Sequence, residues 1–464
     1  MIPELAKAAA LAADYLQRLP DARVAGPATL DALRQTLDVP LTDVGVSGEH
    51  ALDELARDIA PGLLTTAGGR FFGWVIGSST PATIGADWLC SAWDQNTAAF
   101  ACSPGASVVE DVAGRWLKEI LGLPEAASFS FVTGCQMAHF VGLAAARHQL
   151  LAQADWNVEE RGLCGAPRLR VLVGEYHETL VRAVRYLGLG SDAIVPVGCD
   201  DRGAIDLARL AQALTADDGA PTIVSLAAGD LNRGVFDDFD RACDVAHEHQ
   251  AWVHVDGAFG LWVGASPTHR HLVRGIEKAD SWATDAHKWL NVPYENGMAF
   301  VAHPDAHRRA MSVHADYVID AAGGRDQMNW NPEWSRRARA IPIYVALRTM
   351  GRKGVADLVD ACCALTVRMV DGLAAVPGVE VLARPIINQA LVRFPAAGDV
   401  SDEAHNERTD RVIQQIQRDG HAWFGPTTWR GMRVMRISVS SWRTTAEDVD
   451  CAVAAVGAAL RAVR

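Results

Sequence analysis

From about residue 105 to residue 305, short apolar runs alternate with longer stretches in which apolar residues recur every three or four positions. The runs FSFVTG (129–134), LRVLVG (169–174), PTIVSLAAG (221–229) and AWVHVDGAFG (251–260) are apolar almost throughout, the pattern of strands covered on both faces. Between them, GAIDLARLAQALTADD and FDDFDRACDVAHEHQ each carry one apolar stripe and one charged face, which is helical spacing. Strands spaced by helices predict an α/β fold with a mostly parallel sheet sheathed by helices. The first 60 or so residues are rich in Ala and Leu at helical spacing and stop at Pro61-Gly62. Beyond residue 340, helical segments (343–375, 402–419, 444–463) alternate with strand-like ALVRF (390–394) and MRVMRISVS (432–440), predicting a smaller C-terminal α+β domain.

Two stretches break this rhythm. GGRFFGWVIGSSTP (68–81) crowds glycines, aromatics and small polar residues, and residues 306–340 are polar, Gly-containing and aromatic. Both read as structured loops that serve function rather than core. The expected organisation is an N-terminal helical segment over 1–70, a large domain over 71–310, a loop and connection over 311–340, and a small domain over 341–464.

Composition narrows the classes. At 464 residues the chain exceeds what one simple core accommodates. The net charge is -13 and no Lys/Arg run stands out, so no nucleic-acid footprint is expected. No window approaches the ~20 apolar residues of a membrane span, and MIPELAKAAALAADYLQRLP reads as an amphipathic helix, not a secretory signal. Nine scattered cysteines form no C-x-x-C pair, so neither a disulfide framework nor a metal centre is expected, and the cytoplasm is the expected compartment.

Four features carry chemistry. VTGCQMAHFVGL (132–143) reads as strand, tight turn at Gly134, then helix, a terminus able to take an anion with help from Cys135 or Gln136. His177 follows a strand in VGEYHETLV, where it either caps a helix or faces a ligand. Asp256 ends the apolar strand WVHVD, where a carboxylate either caps or holds a cationic partner. In TDAHKWLNVP, Lys288 follows what reads as a buried strand and is flanked by His287, Trp289 and Leu290. A lysine there either snorkels out or reacts in a partly desolvated site, where its amine loses a proton more easily.

In this order the residues resemble the group II amino-acid decarboxylases that depend on pyridoxal 5'-phosphate (PLP). That family includes aromatic amino acid decarboxylase and glutamate decarboxylase, and has the aspartate aminotransferase fold, fold type I. The likeness runs from about Phe71 to the C-terminal strand. Its most specific motif is His287-Lys288-Trp289 with Asp256-Gly257-Ala258 upstream. The resemblance implies that Lys288 holds PLP as a Schiff base and that Asp256 pairs with the pyridine nitrogen. It places Ala258 and His177 on the two ring faces, and puts His287, Gly134, Cys135 and Gln136 near the phosphate. Ser281 and Asp285 flank the same pocket. Phe71 and Trp74 become substrate-pocket candidates, and a homodimer is implied, with the N-terminal segment packed on the partner subunit. The implied reaction is decarboxylation of an L-amino acid.

Departures leave other outcomes open. Aligned through WNPEWSRRARA, the position of the family's proton-donating loop tyrosine falls on Gln327, which cannot act as an acid. Tyr317 is a substitute donor, as is His177 or a water. Without a donor, the same scaffold makes an aldehyde by oxidative deamination, or cleaves carbon–carbon bonds as a lyase or aldolase; a non-catalytic PLP-fold protein is the remaining alternative. Arg233, in GDLNRGVFD with Asp230, and Arg436, in VMRISVS, are candidates for binding a second acidic group on the substrate, or surface and strand arginines respectively.

Overall fold

The computed structural model describes residues 2–26, 28–216, 219–313, 324–398 and 400–463. Two compact units divide the chain: residues 77–363, and residues 1–76 together with 364–464.

The larger unit is built on seven strands: β1 (Ser128–Val132), β2 (Arg170–Val173), β3 (Ile194–Pro196), β4 (Thr222–Ala227), β5 (Trp252–Asp256), β6 (Ser281–Asp285) and β7 (Gly297–Val301). They lie in the order β1-β7-β6-β5-β4-β2-β3. All run parallel except β7, which pairs antiparallel with both β1 and β6. Every residue of β1, β6 and β7 is buried, because helices cover both faces. This is the α/β architecture that the alternating pattern predicts. The apolar runs correspond to β1, β2, β4 and β5, whereas β3, with three residues, is too short to be read from periodicity.

Topology positions the chemistry. The parallel strands end together on one edge, so Asp256 closing β5, Asp285 closing β6 and the turn after β1 share it. That turn leads through Gly134 into a helix, Cys135–Gln153, which packs Ala138 and Val141 against Val132, Ala283 and Ala299.

The stretch expected to be a long functional loop, 306–340, is partly core. It contains the end of a helix, Pro304–Met311, and a 3-10 turn, Gln327–Asn329. It also supplies Arg336, which is fully buried on Glu110: Nη1 reaches Oε1 at 3.0 Å and Oε2 at 2.8 Å, and Nη2 donates to the Phe131 carbonyl at 2.6 Å. Removing one partner strands the other charge in the interior. Glu110→Ala should therefore lower the stability of this unit by about 3–5 kcal/mol in urea unfolding, whereas an apolar replacement of both residues should restore most of it. A loss below about 1 kcal/mol would show that water reaches the pair.

The smaller unit holds a four-stranded antiparallel sheet: β8 (Glu380–Val381), β9 (Gln389–Arg393), β10 (Gly425–Trp429) and β11 (Met432–Ser438), ordered β10-β11-β9-β8. Helices Asp402–Asp419 and Ala446–Ala462 match the expected helical segments. Two boundaries differ from expectation. The N-terminal 76 residues belong to this unit, and the boundary before residue 364 falls within the helical stretch Ala340–Ala374, past its kink at Gly351 (φ 61°). The N-terminal helices Pro3–Arg18, Leu30–Leu37 and Gly48–Ile59 bury no residue. No helix among the described residues is long and apolar enough to cross a membrane.

Candidate active site

Lys288 lies three residues past the end of β6, between His287, Trp289 and Leu290, which are all buried. Its Nζ sits 3.2 Å from Asp285 Oδ2. The other oxygen of Asp285 accepts the Cys135 N–H at 2.6 Å and stands 3.6 Å from His287 Nε2. Gly77 crosses directly over this segment: a Cβ there would come 1.8 Å from the Lys288 carbonyl oxygen, so only glycine fits. The expectation of an easily deprotonated amine is reversed in this state. Burial does pull the Lys288 pKa down, but the charges of Asp285 and Asp256 outweigh it and leave it raised.

Asp256 Oδ1 accepts the Ala258 N–H at 3.1 Å, and Oδ2 lies 3.5 Å from His139 Nε2. Burial alone would push this carboxyl up; His139, Lys288 and His177 instead hold it well below the usual carboxylate range. Cys135, His139 and Asp256 offer ligand atoms within 4.8 Å of one another. Burial, reinforced by Asp256 and Asp285, raises the Cys135 thiol well above its ordinary value.

The helix begins at the Gly134 turn with no cap from its own N-cap residue, but its first N–H, at Cys135, is already bound by Asp285, so an anion would meet the N–H of Gln136. Gly297 abuts it so closely that a Cβ there would lie 2.3 Å from the Gly134 carbonyl carbon. Gln136 accepts from Arg182 Nη1 at 3.2 Å. His177 caps the helix Glu178–Tyr186, its Nδ1 accepting the Thr179 N–H at 3.2 Å, and it also acts electrostatically on Asp256. The capping reading applies, and the side chain is exposed. His287 Nδ1 accepts the Asn296 N–H at 3.1 Å, and its ring stacks on Tyr294 at 4.2 Å.

Other sequence candidates have contacts of their own. Ser281 opens β6, about 13 Å of strand away from Asp285, and bonds His254 and Trp252 instead. Arg233 donates to the Arg202 carbonyl, and Asp230 holds the N–H groups of Asn232, Arg233 and Val235, so the pair shapes a turn. Gln327 is fully buried, with Oε1 accepting from Arg325 at 2.7 Å, and offers a small molecule no accessible surface. Tyr317 lies outside the described residues. Phe71 and Trp74 belong to the smaller unit, where both pack on the Trp423 ring, and Arg436 is buried on β11 of that unit. Sequence reasoning missed His139, His254 and Tyr294. His254 was legible as the residue two before Asp256 on one strand face, and His139 as one helical turn past Cys135.

The arrangement brings together an amine, an ionised carboxylate and an anion-receptive helix terminus at one sheet edge. A pyridoxal-dependent decarboxylase conserved domain matches residues 31–396. An aromatic-L-amino-acid decarboxylase of Bacillus atrophaeus is 24% identical over 443 residues, covering 94% of this chain and 90% of that protein. Human cysteine sulfinic acid decarboxylase is 25% identical over 440 residues, with 90% and 87% covered. The crystal structure of Oryza sativa TDC with PLP and tryptamine superposes with a TM-score of 0.93 at 23% identity, covering 99% of this chain and 98% of that one.

Proposed function

Because this chain belongs to the family of pyridoxal-dependent decarboxylases, we propose that it removes the carboxylate carbon of an L-amino acid as carbon dioxide, with Lys288 as the covalent anchor of PLP. The carrying observation is the placement of Lys288, Asp285 and Asp256 at the ends of the neighbouring parallel strands β5 and β6. The residues fit the cofactor: an amine for its aldehyde, an ionised carboxylate for its ring nitrogen, and the helix start after Gly134, beyond the N–H that Asp285 already holds, for its phosphate. When bound, PLP supplies a ring that takes up the electron pair left by departing carbon dioxide.

The protein groups have separable tasks. Asp285 orients the Lys288 amine and ties it to the backbone of Cys135. Asp256, kept ionised, holds a proton on the ring nitrogen. His177, whose charge acts on the same carboxylate, is the candidate to face the ring, and Tyr317 is the candidate to return a proton to the substrate carbon, since buried Gln327 cannot. Incubating the protein with the common amino acids, while measuring carbon dioxide, amine, aldehyde, ammonia and peroxide together, tests the reading. Carbon dioxide with stoichiometric amine supports it. Aldehyde with ammonia and peroxide identifies the oxidative outcome, and no turnover of any amino acid removes the proposal.

The native unit of this reading is a homodimer. Trp88, Leu89, Trp93 and Val108 expose between 47% and 52% of their surface, beside an apolar cavity of about 550 Å³ lined by Ala86, Val109, Ile341 and Tyr344. A patch of this kind is more apolar than a monomer tolerates in water. Sedimentation at micromolar concentration should give twice the chain mass, and a stable, active monomer would refute it. All nine cysteines are unpaired, which supports the expectation of a reducing cytoplasm.

A further inference from the structure

A hydrogen-bonded chain of buried side chains runs from the start of β5 to His139, whose outer nitrogen faces Asp256. Trp252 Nε1 donates to Ser281 Oγ at 2.8 Å, Ser281 Oγ lies 2.8 Å from His254 Nδ1, and His254 Nε2 lies 2.8 Å from His139 Nδ1. His139 Nε2 then faces Asp256 Oδ2 at 3.5 Å, with Cys135 Sγ at 3.6 Å. His139, His254 and Ser281 are completely inaccessible, and Trp252 is 3% exposed. Glycine makes the approach possible: a Cβ on Gly142 would stand 2.9 Å from the His254 ring.

The ends of the chain set its direction. An indole N–H can only donate, and a carboxylate can only accept. If both imidazoles are neutral with hydrogen on Nε2, every step has one donor and one acceptor: Trp252 to Ser281, Ser281 to His254, His254 to His139, His139 to Asp256. In the opposite arrangement His139 is a cation donating from both nitrogens, and His254 donates from Nδ1 to Ser281. Ser281 Oγ then accepts twice, and its own proton has no acceptor among the described residues. A buried hydroxyl left so disfavours that arrangement by roughly 10- to 100-fold.

We propose that Trp252, Ser281, His254 and His139 form a one-way hydrogen-bond relay in which His139, with hydrogen on Nε2, is the positioning residue that aims Asp256 and holds it ionised. His139 Nε2 faces Oδ2 at 3.5 Å while the Ala258 N–H binds Oδ1 at 3.1 Å, so the two contacts favour one orientation of the carboxylate. Its task at the ring nitrogen rests on the proposed function; its tautomeric state does not.

The test is long-range proton–nitrogen NMR on the holoenzyme labelled with ¹⁵N-histidine, with the two rings assigned through His139→Gln and His254→Gln. The expected result is a neutral Nε2–H imidazole at both positions; an imidazolium or an Nδ1–H form at either overturns the relay. Trp252→Phe removes the donor-only end and should bring up an Nδ1–H population at His254, and an unchanged pattern overturns the directional claim. In turnover, His139→Leu should lower kcat roughly 10- to 100-fold with little change in KM. His139→Gln, whose amide can accept from His254 and donate to Asp256, should recover most of it; equal impairment of both variants overturns the positioning role. Failure of PLP to attach at Lys288 would overturn the proposed function and leave the tautomer result standing.

Discussion

Lys288→Ala should bring amino-acid turnover down by at least ~10³-fold, a barrier increase of about 4 kcal/mol. The chain has five lysines, and the other four are committed elsewhere. Lys7 pairs with Asp53, Lys118 donates to the Glu125 and Ala127 carbonyls, Lys278 pairs with Asp240 and Asp244, and Lys353 pairs with Asp357. None of the four stands at the sheet edge with Asp256, so none can substitute. The measurement is kcat/KM on the best amino acid from the product screen, with Asp285→Asn beside it. Asp285→Asn keeps the amine but loses the charge that orients it, and should fall between the variant and wild type. Turnover by Lys288→Ala within tenfold of wild type would mean that this lysine only packs.

Asp256→Asn should be the second large loss, on the order of 10²- to 10³-fold in kcat, about 3–4 kcal/mol. The amide has the same shape and can still accept the Ala258 N–H, so the fold should survive and the cofactor should still attach. What goes is the negative charge that keeps a proton on the ring nitrogen. The separation of attachment from turnover is the signature to measure: an unchanged Lys288 adduct with a depressed kcat. Near-normal turnover would mean that another residue holds the nitrogen.

The sequence disclosed this site unevenly, for physical reasons. Asp256 and Lys288 were visible because a charge at the end of an apolar run is costly and needs a partner. Asp285 was placed at the pocket by the resemblance alone; that it is the partner of the amine follows only from the β6 geometry, which puts its carboxylate 3.2 Å from Nζ. Its presence also reversed the expected lysine pKa, which burial alone would have lowered. His139 was hidden by distance, since its helix and the β5 strand bearing His254 and Asp256 are more than 100 residues apart in sequence and meet only in the folded unit. Ser281 was assigned to the pocket from proximity in sequence, yet a strand separates its two ends by its full length, and Ser281 and Asp285 lie at opposite ones. The arginine pair in WSRRARA helped alignment but said nothing of burial; Arg336 is core because Glu110 is there to meet it.

The central claim is that Lys288 carries PLP, and chemical trapping tests it most directly. The holoenzyme is reduced with borohydride, digested, and its peptides mapped by mass spectrometry. The account predicts one pyridoxyl-lysine per chain, in the peptide containing TDAHKWLNVP at Lys288. A label on Lys7, Lys118, Lys278 or Lys353, or no label on a protein reconstituted with PLP, would contradict it.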